Sequence, residues 1–202
     1  MFFNCTIADN ITDDVGGGLY ARDDSSPQFN GCEFFDNISE YGGGCYLRSS
    51  SEPVMIETSV VGNTAANTGG GIVLKDDANL IGDQLFVTGN ISEGLGGGLY
   101  INNANPVFDF LLVADNSASS GGGIYIRSSS FPVLNNATIS NNSANLYGDG
   151  LYLRYNCEVI IRNSIIFGNN SNQIYFRDIG NEPELDIDYC SIEGGQSGVQ
   201  TN

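Results

Sequence analysis

Positively charged side chains are scarce in this chain, and they recur at one position of a repeat. The sequence has seven Lys and Arg against 24 Asp and Glu, with a formal net charge of −17 at pH 7. Arginine binds carboxylate or sulfate groups through paired hydrogen bonds, so a row of arginines suits an acidic polymer. The recurring position holds Arg22, Arg48, Lys75, Asn102, Arg127, Arg154 and Arg177.

Aromatic side chains stand two residues before these positions. Flat rings suit the faces of sugars, and residues two apart in a strand share one face. We therefore expect both rows to project from one outer surface, and one hypothesis for this surface is that it binds a glycan. The aromatic position holds Tyr20, Tyr46, Val73, Tyr100, Tyr125, Tyr152 and Tyr175.

A purely structural role for the two rows stays open. Stacked like charges repel, but acidic residues that directly follow the cations could pair with them. Guanidinium groups over tyrosine rings would add a cation–π contribution. The neighbouring acids are Asp23, Asp24, Asp76, Asp77 and Asp178.

Enzyme chemistry is poorly supported, because the chain has no histidine and its acidic pairs are adjacent in sequence. A glycosidase needs two carboxyl groups facing each other across a cleft, whereas Asp13-Asp14 and Asp23-Asp24 read as solvated turns. A lyase built from Asp76, Asp77 and Arg48 is not demanded by their spacing. A carbohydrate-active enzyme therefore remains the competing functional class, and we expect no catalytic residue.

Neither a cofactor nor nucleic acid is expected as a partner. The acidic charge disfavours phosphate binding, and five cysteines without a CxxC pair or histidine make a zinc site improbable. Structural calcium stays an alternative near Asp13, Asp14 or Asp186 and Asp188. Cys5 and Cys32, one repeat apart, lie within reach of a disulfide but are favoured as small buried apolar residues.

Glycine triplets position these residues. The first glycines are Gly16, Gly42, Gly69, Gly96, Gly121 and Gly148, at steps of 26, 27, 27, 25 and 27 residues. A fixed step of this size is typical of stacked-repeat proteins. An alternating strand follows each triplet, and Asp149 in the sixth triplet suggests that the middle position does not strictly need glycine.

Asparagines mark a second corner of each repeat. Asparagine tolerates a sharp turn, and identical amides can bond from layer to layer. The ladder comprises Asn10, Asn37, Asn63, Asn90, Asn116, Asn142 and Asn169, each three residues after an apolar residue.

No helical periodicity accompanies the repeat, so the predicted fold is all-β: a single-stranded right-handed parallel β-helix, or solenoid, of about seven coils of 25–27 residues. A leucine-rich repeat would require more leucine at fixed positions. We expect one domain over residues 1–202, with a partial first coil at 1–15, regular coils at 16–177 and an irregular terminal coil at 178–202. It reads as a fragment of a longer protein whose open coil ends could self-associate, and no stretch is apolar enough to span a membrane.

The motif GGG[LI]Y with a hydrophobic-x-x-Asn step resembles the repeats of chlamydial polymorphic outer-membrane proteins and related bacterial surface adhesins. That family pairs GGA[ILV] with FxxN. Phe34-Phe35-Asp36-Asn37 is the literal FxxN here, while the other copies substitute Val or Ile and GGG replaces GGA. The resemblance implies a right-handed parallel β-helix in an exported, surface-displayed protein.

These observations favour a non-catalytic extracellular or cell-surface segment for structural display and adhesion. Its expected partner is a glycan or another surface ligand, bound through the tyrosine and cation rows. A spacer without any ligand is the third alternative.

Overall fold

The protein folds as a stack of parallel strands. The computed structural model describes residues 1–177 and 183–201. Within this part of the chain there are 27 strands, numbered β1 to β27 in chain order, which pair in parallel into three sheets. Successive turns of the chain therefore wind in the same direction, as the 26-residue period predicts.

The first sheet, the bent sheet, has 14 strands. Its strands are β1 (Phe2–Phe3), β2 (Thr6–Ala8), β4 (Gln28–Asn30), β5 (Glu33–Phe35), β8 (Val54–Ile56), β9 (Ser59–Val61), β12 (Ile81–Thr88), β15 (Val107–Ala114), β18 (Val133–Asn135), β19 (Thr138–Ser140), β22 (Glu158–Arg162), β23 (Ile165–Phe167), β25 (Glu184–Asp188) and β26 (Ser191–Ile192). Strands β12 and β15 run continuously where the other turns of the solenoid have two short strands.

The second and third sheets complete each turn. The short sheet consists of β6 (Ile38–Tyr41), β10 (Thr64–Thr68), β13 (Ile91–Ser92), β16 (Ser117–Ser120) and β20 (Ser143–Tyr147). The glycine-led sheet consists of β3 (Leu19–Ala21), β7 (Cys45–Arg48), β11 (Ile72–Lys75), β14 (Leu99–Asn102), β17 (Ile124–Arg127), β21 (Leu151–Arg154), β24 (Ile174–Arg177) and β27 (Val199–Thr201).

The glycine-led sheet thus passes through eight turns, as expected for a solenoid of about this size. A 3₁₀ turn at Gly195–Gly198 is the only helical element in the described residues. None of those residues belongs to a helix long and apolar enough to cross a membrane.

Alternating side chains fill the interior of the solenoid. In each glycine-led strand the first and third residues point inward, as Leu99 and Ile101 do, and both are fully buried. They pack against inward residues of the bent sheet such as Phe108 and Val113. Cys32, Cys45 and Cys157 belong to the same core and all five cysteines are free, so their role as small apolar residues agrees with the structure.

The glycine triplet forms the corner between the short and glycine-led sheets. Gly96 has a φ of 67°, in the left-handed region that favours glycine. A Cβ on Gly97 would lie less than 3.0 Å from the carbonyl oxygens of Gly122 and Ser117, so neighbouring turns approach too closely for a side chain. The corner is therefore sharp, and it brings the two sheets' outer faces together.

Asp149 occupies the middle glycine position at the one copy where the short sheet ends. The expectation that this position does not strictly need glycine is wrong for the interior copies, where a Cβ would meet the next turn's backbone. Among residues 148–177 and 183–201, no strand of the short sheet follows β20. The Asp149 carboxylate instead accepts hydrogen bonds from the amides of Ala144, Ser171 and Asn172, at 2.7, 2.9 and 2.8 Å.

The predicted asparagine ladder is confirmed inside the solenoid. Each side-chain amide donates to the carboxamide oxygen of the next asparagine, from Asn10 through Asn169. The ladder ends on Gln173, whose Oε1 accepts a hydrogen bond from Asn169 Nδ2 at 2.7 Å. Six of the seven asparagines are buried, and Asn10 at the open end is exposed.

Candidate functional site: the outer face of the glycine-led sheet

The cation positions form one row across the glycine-led sheet. Lys75 pairs in register with Arg48 on one side and Asn102 on the other. Arg127 likewise pairs with Arg154, and Arg154 with Arg177. The tyrosine positions stack in the same way, so both predicted rows exist, with successive members about 4.8 Å apart along the stack.

The tyrosine rings are not the exposed surface that the sequence led us to expect. Tyr20 is 42% exposed, but Tyr46 and Tyr100 are each 7% exposed and Tyr125 is fully buried. Tyr152 and Tyr175 are buried as well. The rings pack on one another outside the core, for example Tyr100 on Tyr125 at a centroid distance of 5.5 Å. The rings from Tyr46 to Tyr175 are therefore covered, which corrects the expectation that these side chains project into solvent.

Residues just before the glycine triplets cover the rings. Val15, Tyr41 and Leu95 at the ends of the short sheet pack against the tyrosines. Sequence reasoning missed them, although a signal was present: each stands five residues before the aromatic position. The triplet corner turns this residue back onto the ring, giving a second apolar cluster that we call the tyrosine column. It comprises Tyr46, Val73, Tyr100, Tyr125, Tyr152 and Tyr175.

Burial and the neighbouring arginines act oppositely on the phenol groups. Burial raises the pKa of Tyr100, while the Arg127 guanidinium beside its hydroxyl opposes part of that rise. Burial raises the pKa of Tyr125 in the same way. The nearby Arg154 guanidinium opposes part of this rise in pKa. The Tyr125 hydroxyl oxygen is nevertheless buried without a hydrogen-bond partner of normal geometry. The Tyr152 hydroxyl raises the pKa of Arg177.

The first cations of the row are neutralised locally. Arg22 Nε lies 3.1 Å from an Asp23 carboxylate oxygen, and Arg48 lies 3.4 Å from Asp76. Both pairs are solvent-accessible. Asp23 and Asp76 therefore pair with Arg22 and Arg48, as the structural alternative expects.

The later arginines lack this neutralisation. Neither Arg127 nor Arg154 has a carboxylate oxygen within 4.0 Å among the described residues, since serine, tyrosine and asparagine occupy their turns. Both guanidinium groups instead contact the Tyr155 ring, at 5.2 and 4.2 Å from its centroid. Arg154 Nε is buried without a hydrogen-bond partner. Asp178, expected to neutralise Arg177, lies outside the described residues.

A surface cavity lies beside the tyrosine column at its third copy. Val73 replaces tyrosine there and Thr68 is the covering residue, so both positions carry small side chains. The resulting space has a volume of about 270 Å³. Tyr46 and Tyr100 line its sides, and Lys75 and Asn102 also line it.

The acidic pairs Asp23-Asp24 and Asp76-Asp77 lie in turns of the solenoid. Asp23, Asp24, Asp76 and Asp77 all have φ between 54° and 64°, as turn residues do. No cluster of three or more Cys, Asp or Glu side chains suited to a metal ion occurs in residues 1–177 and 183–201. The structural calcium alternative and the absence of catalysis remain predictions.

Comparison with known proteins agrees with this geometry at the level of the fold. No significant match was found among curated proteins or among solved structures. The family model described as "right handed beta helix region" matches residues 1–109 and 81–202, which together span the whole chain. The parallel solenoid and this match show that the chain belongs to the right-handed β-helix family.

Proposed function

We propose that this β-helix is a non-catalytic display segment that binds an acidic glycan through Arg127 and Arg154. The observation that carries the proposal is the pair of adjacent arginines without a carboxylate partner among the described residues, in a chain of net charge −17. The chain has 24 acidic residues, yet Ser128-Ser129 and Tyr155-Asn156 occupy the turns that follow these two arginines. An external anion would relieve the repulsion between them.

The stacking of the pair suits a polymer better than a single small anion. Arg127 and Arg154 are paired in register on neighbouring strands, and Arg177 continues the row. Carboxylate or sulfate groups at intervals along a chain could meet successive arginines, each through a charge-assisted pair of hydrogen bonds. The Tyr155 ring, which both guanidinium groups contact, restrains their orientation before any ligand arrives.

Surface display and adhesion rest on the resemblance to polymorphic outer-membrane repeats and on the acidic composition. Both support an exported protein, and neither identifies the surface on which it acts. A rigid stack of eight glycine-led strands is suited to holding a binding row away from its attachment point.

The test compares two double variants that remove the same amount of charge. Binding of polygalacturonate, a sulfated glycan and neutral dextran is measured for the unmodified protein, for Arg127→Ala with Arg154→Ala, and for Arg22→Ala with Arg162→Ala. Arg22 and Arg162 are each paired with aspartate, so they are matched controls. We expect the first double variant to lose about tenfold or more in affinity for acidic glycans, and the second less than threefold.

Each other outcome contradicts the proposal. Equal losses in both variants would show non-specific attraction, and absent binding to every glycan would favour a ligand-free spacer. Release of unsaturated or reducing sugar ends during incubation would show a carbohydrate-active enzyme. Thermal unfolding of each variant verifies that the fold is retained.

A further inference from the structure

Large apolar side chains face solvent on the outer surface of β12 and β15, the two strands of the bent sheet that run continuously. Ile81 is 52% exposed and pairs in register with Val107, which is 45% exposed. Phe86 is 40% exposed and Phe110 is 56% exposed. Single exposed apolar residues are ordinary, whereas neighbouring ones mark interaction surfaces. We call these four residues the apolar patch.

Phe110 has a backbone conformation that a bulky residue rarely adopts. Its φ is 51°, in the left-handed region. Gly31 and Asn136 occupy the same corner of the bent sheet in other turns, and both residue types tolerate this region better than phenylalanine. Phe110 therefore costs backbone stability at this corner while more than half of its surface stays in water.

Two aspartates lie among the apolar residues. Asp83 and Asp109 are paired in register, so their like charges stand on backbones about 4.8 Å apart. Asp109 accepts a hydrogen bond from Asn136 at 2.6 Å, but neither carboxylate has a Lys or Arg nitrogen within 4.0 Å in the described part of the chain. Glu52 adds a third acid, in the lining of an open cavity of about 320 Å³ at the Ile81 end of the patch.

We propose that the apolar patch binds an extended, basic segment of another protein. Along β12 the outward residues are apolar, acidic and apolar, at Ile81, Asp83 and Phe86. Side chains two residues apart in an extended chain share one face. A segment with apolar, basic and apolar side chains on one face would therefore cover the exposed apolar groups and neutralise the paired carboxylates.

The charge of the patch argues against two other occupants. A second copy of this chain would bring its own acidic surface against Asp83 and Asp109, and each copy has a formal net charge of −17. An acidic glycan is opposed by the same carboxylates. The patch lies on the bent sheet, whereas Arg127 and Arg154 lie on the glycine-led sheet, so this proposal goes beyond the proposed function and does not depend on it.

The repeat itself provides the variant that removes the exposed ring. Phe110→Asn installs the residue that occupies this corner in the next turn, Asn136. Leu146→Asn is the matched control, because Leu146 is 64% exposed but belongs to the short sheet.

A second pair of variants tests the charge. Asp83→Asn with Asp109→Asn removes the two carboxylates and keeps an oxygen that can accept the hydrogen bond from Asn136. Asp13→Asn with Asp14→Asn removes the same charge from two exposed residues outside the patch.

The probe is a nine-residue synthetic peptide that, when extended, presents leucine and lysine alternately on one face and serine on the other. A second peptide has the same composition but places its leucines and lysines on opposite faces. A third has glutamate in place of lysine. Binding is measured by titration, through the amide chemical shifts of β12 and β15, and self-association of the protein is measured by sedimentation.

We expect the first peptide to bind about tenfold or more tightly than either of the others. Phe110→Asn and the double variant at Asp83 and Asp109 should each weaken this binding about tenfold, and both control variants should weaken it less than about threefold. The unfolding temperature of Phe110→Asn should equal or exceed that of the unmodified protein, because asparagine adopts the left-handed conformation more readily.

Four results would overturn the proposal. The first is no shift of these amides at millimolar peptide, and the second is equal binding of the two peptides of identical composition. The third is a lower unfolding temperature for Phe110→Asn than for Leu146→Asn, which would show that the phenylalanine serves the fold. The fourth is a dimer that Phe110→Asn abolishes, which would make a second copy of the chain the occupant.

Discussion

The carboxamide oxygen of Asn116 accepts two hydrogen bonds from Asn90, one from its backbone amide at 2.9 Å and one from its side chain at 3.0 Å. Asn90 also donates to the carbonyl of Val60 at 2.9 Å, and its own oxygen accepts the same pair from Asn63. Every hydrogen-bonding group of this buried side chain is therefore satisfied by a neighbouring turn. Each buried asparagine such as Asn90 thus links its own turn of the solenoid to the turn on either side.

Replacing Asn90 by alanine should therefore be strongly destabilising. The change removes the acceptor of the Asn63 backbone amide and one acceptor of its side-chain amide, together with the donor to the Val60 carbonyl, at up to about 1 to 3 kcal/mol for each group. We expect a loss of about 3 to 5 kcal/mol in the free energy of unfolding, measured by chemical denaturation. Asn10→Ala is the matched control, because Asn10 is exposed at the end of the ladder, and it should lose about 1 kcal/mol or less. Equal losses would contradict a ladder whose strength comes from burial.

The geometry of the glycine corner predicts that two glycine-to-alanine substitutions differ in how much they lower the free energy of unfolding. Gly97→Ala would place a methyl group against the carbonyl oxygen of Gly122, so neighbouring turns must separate. We expect a loss of about 3 kcal/mol, at the upper end for overpacking. Gly89→Ala has open space, with the nearest atom 3.9 Å away, and suffers only from its φ of 64°. It should lose about 1 kcal/mol. Thermal unfolding of the two variants would measure the difference, and a larger effect at Gly89 would contradict this account of the corner.

The repeat spacing predicted which residues superpose, because identical steps bring identical positions into register. The pairing of Tyr100 with Tyr125 and of Asn90 with Asn116 therefore followed from the sequence alone. The same reasoning predicted the cation row. Alternation along a strand also predicted which side chains point away from the core.

Alternation could not show whether the outward side chains meet water. That depends on the angle at the glycine corner, which folds Val15, Tyr41 and Leu95 over the rings. The five-residue step between these residues and the aromatic position was visible, but its meaning required the corner geometry. The cavity beside Val73 could not be predicted from the sequence either. It depends on Thr68 and Val73 lining the same space, and only the structure shows that they do.

The buried Tyr125 hydroxyl offers a change that should increase stability. Its oxygen is fully buried without a hydrogen-bond partner, although the ring packs on Tyr100 and Tyr152. Tyr125→Phe keeps these ring contacts and removes the unsatisfied group. We expect a gain of up to about 1 kcal/mol in the free energy of unfolding.

Tyr100→Phe is the control for this prediction. The Tyr100 hydroxyl lies beside the Arg127 guanidinium, so its removal should cost up to about 1 kcal/mol. Denaturation curves recorded side by side would compare the signs of the two effects. Destabilisation of Tyr125→Phe would indicate that its hydroxyl has a partner, such as a bound water molecule.

Cys157 should make the fold sensitive to alkali. Burial raises the pKa of this thiol from 9.0 to about 11. Below pH 9 the thiol is protonated in both the folded and unfolded states, so it contributes no pH dependence. Between pH 9 and about 11 the unfolded chain loses the proton while the folded chain keeps it. Stability therefore falls as the pH rises through this window, by about 2 to 3 kcal/mol in total.

Cys157→Ala isolates this contribution from that of the buried tyrosines, whose pKa values burial also raises. The variant should be somewhat less stable at pH 7, because it loses buried sulfur contacts in the core. Its stability should then decline less steeply than that of the unmodified protein from pH 9 upward. Urea denaturation midpoints at pH 7 to 10.5 would measure both slopes. Parallel curves would mean that the Cys157 thiol ionises as readily in the folded solenoid as in the unfolded chain, so that its burial in the stack does not exclude the thiolate.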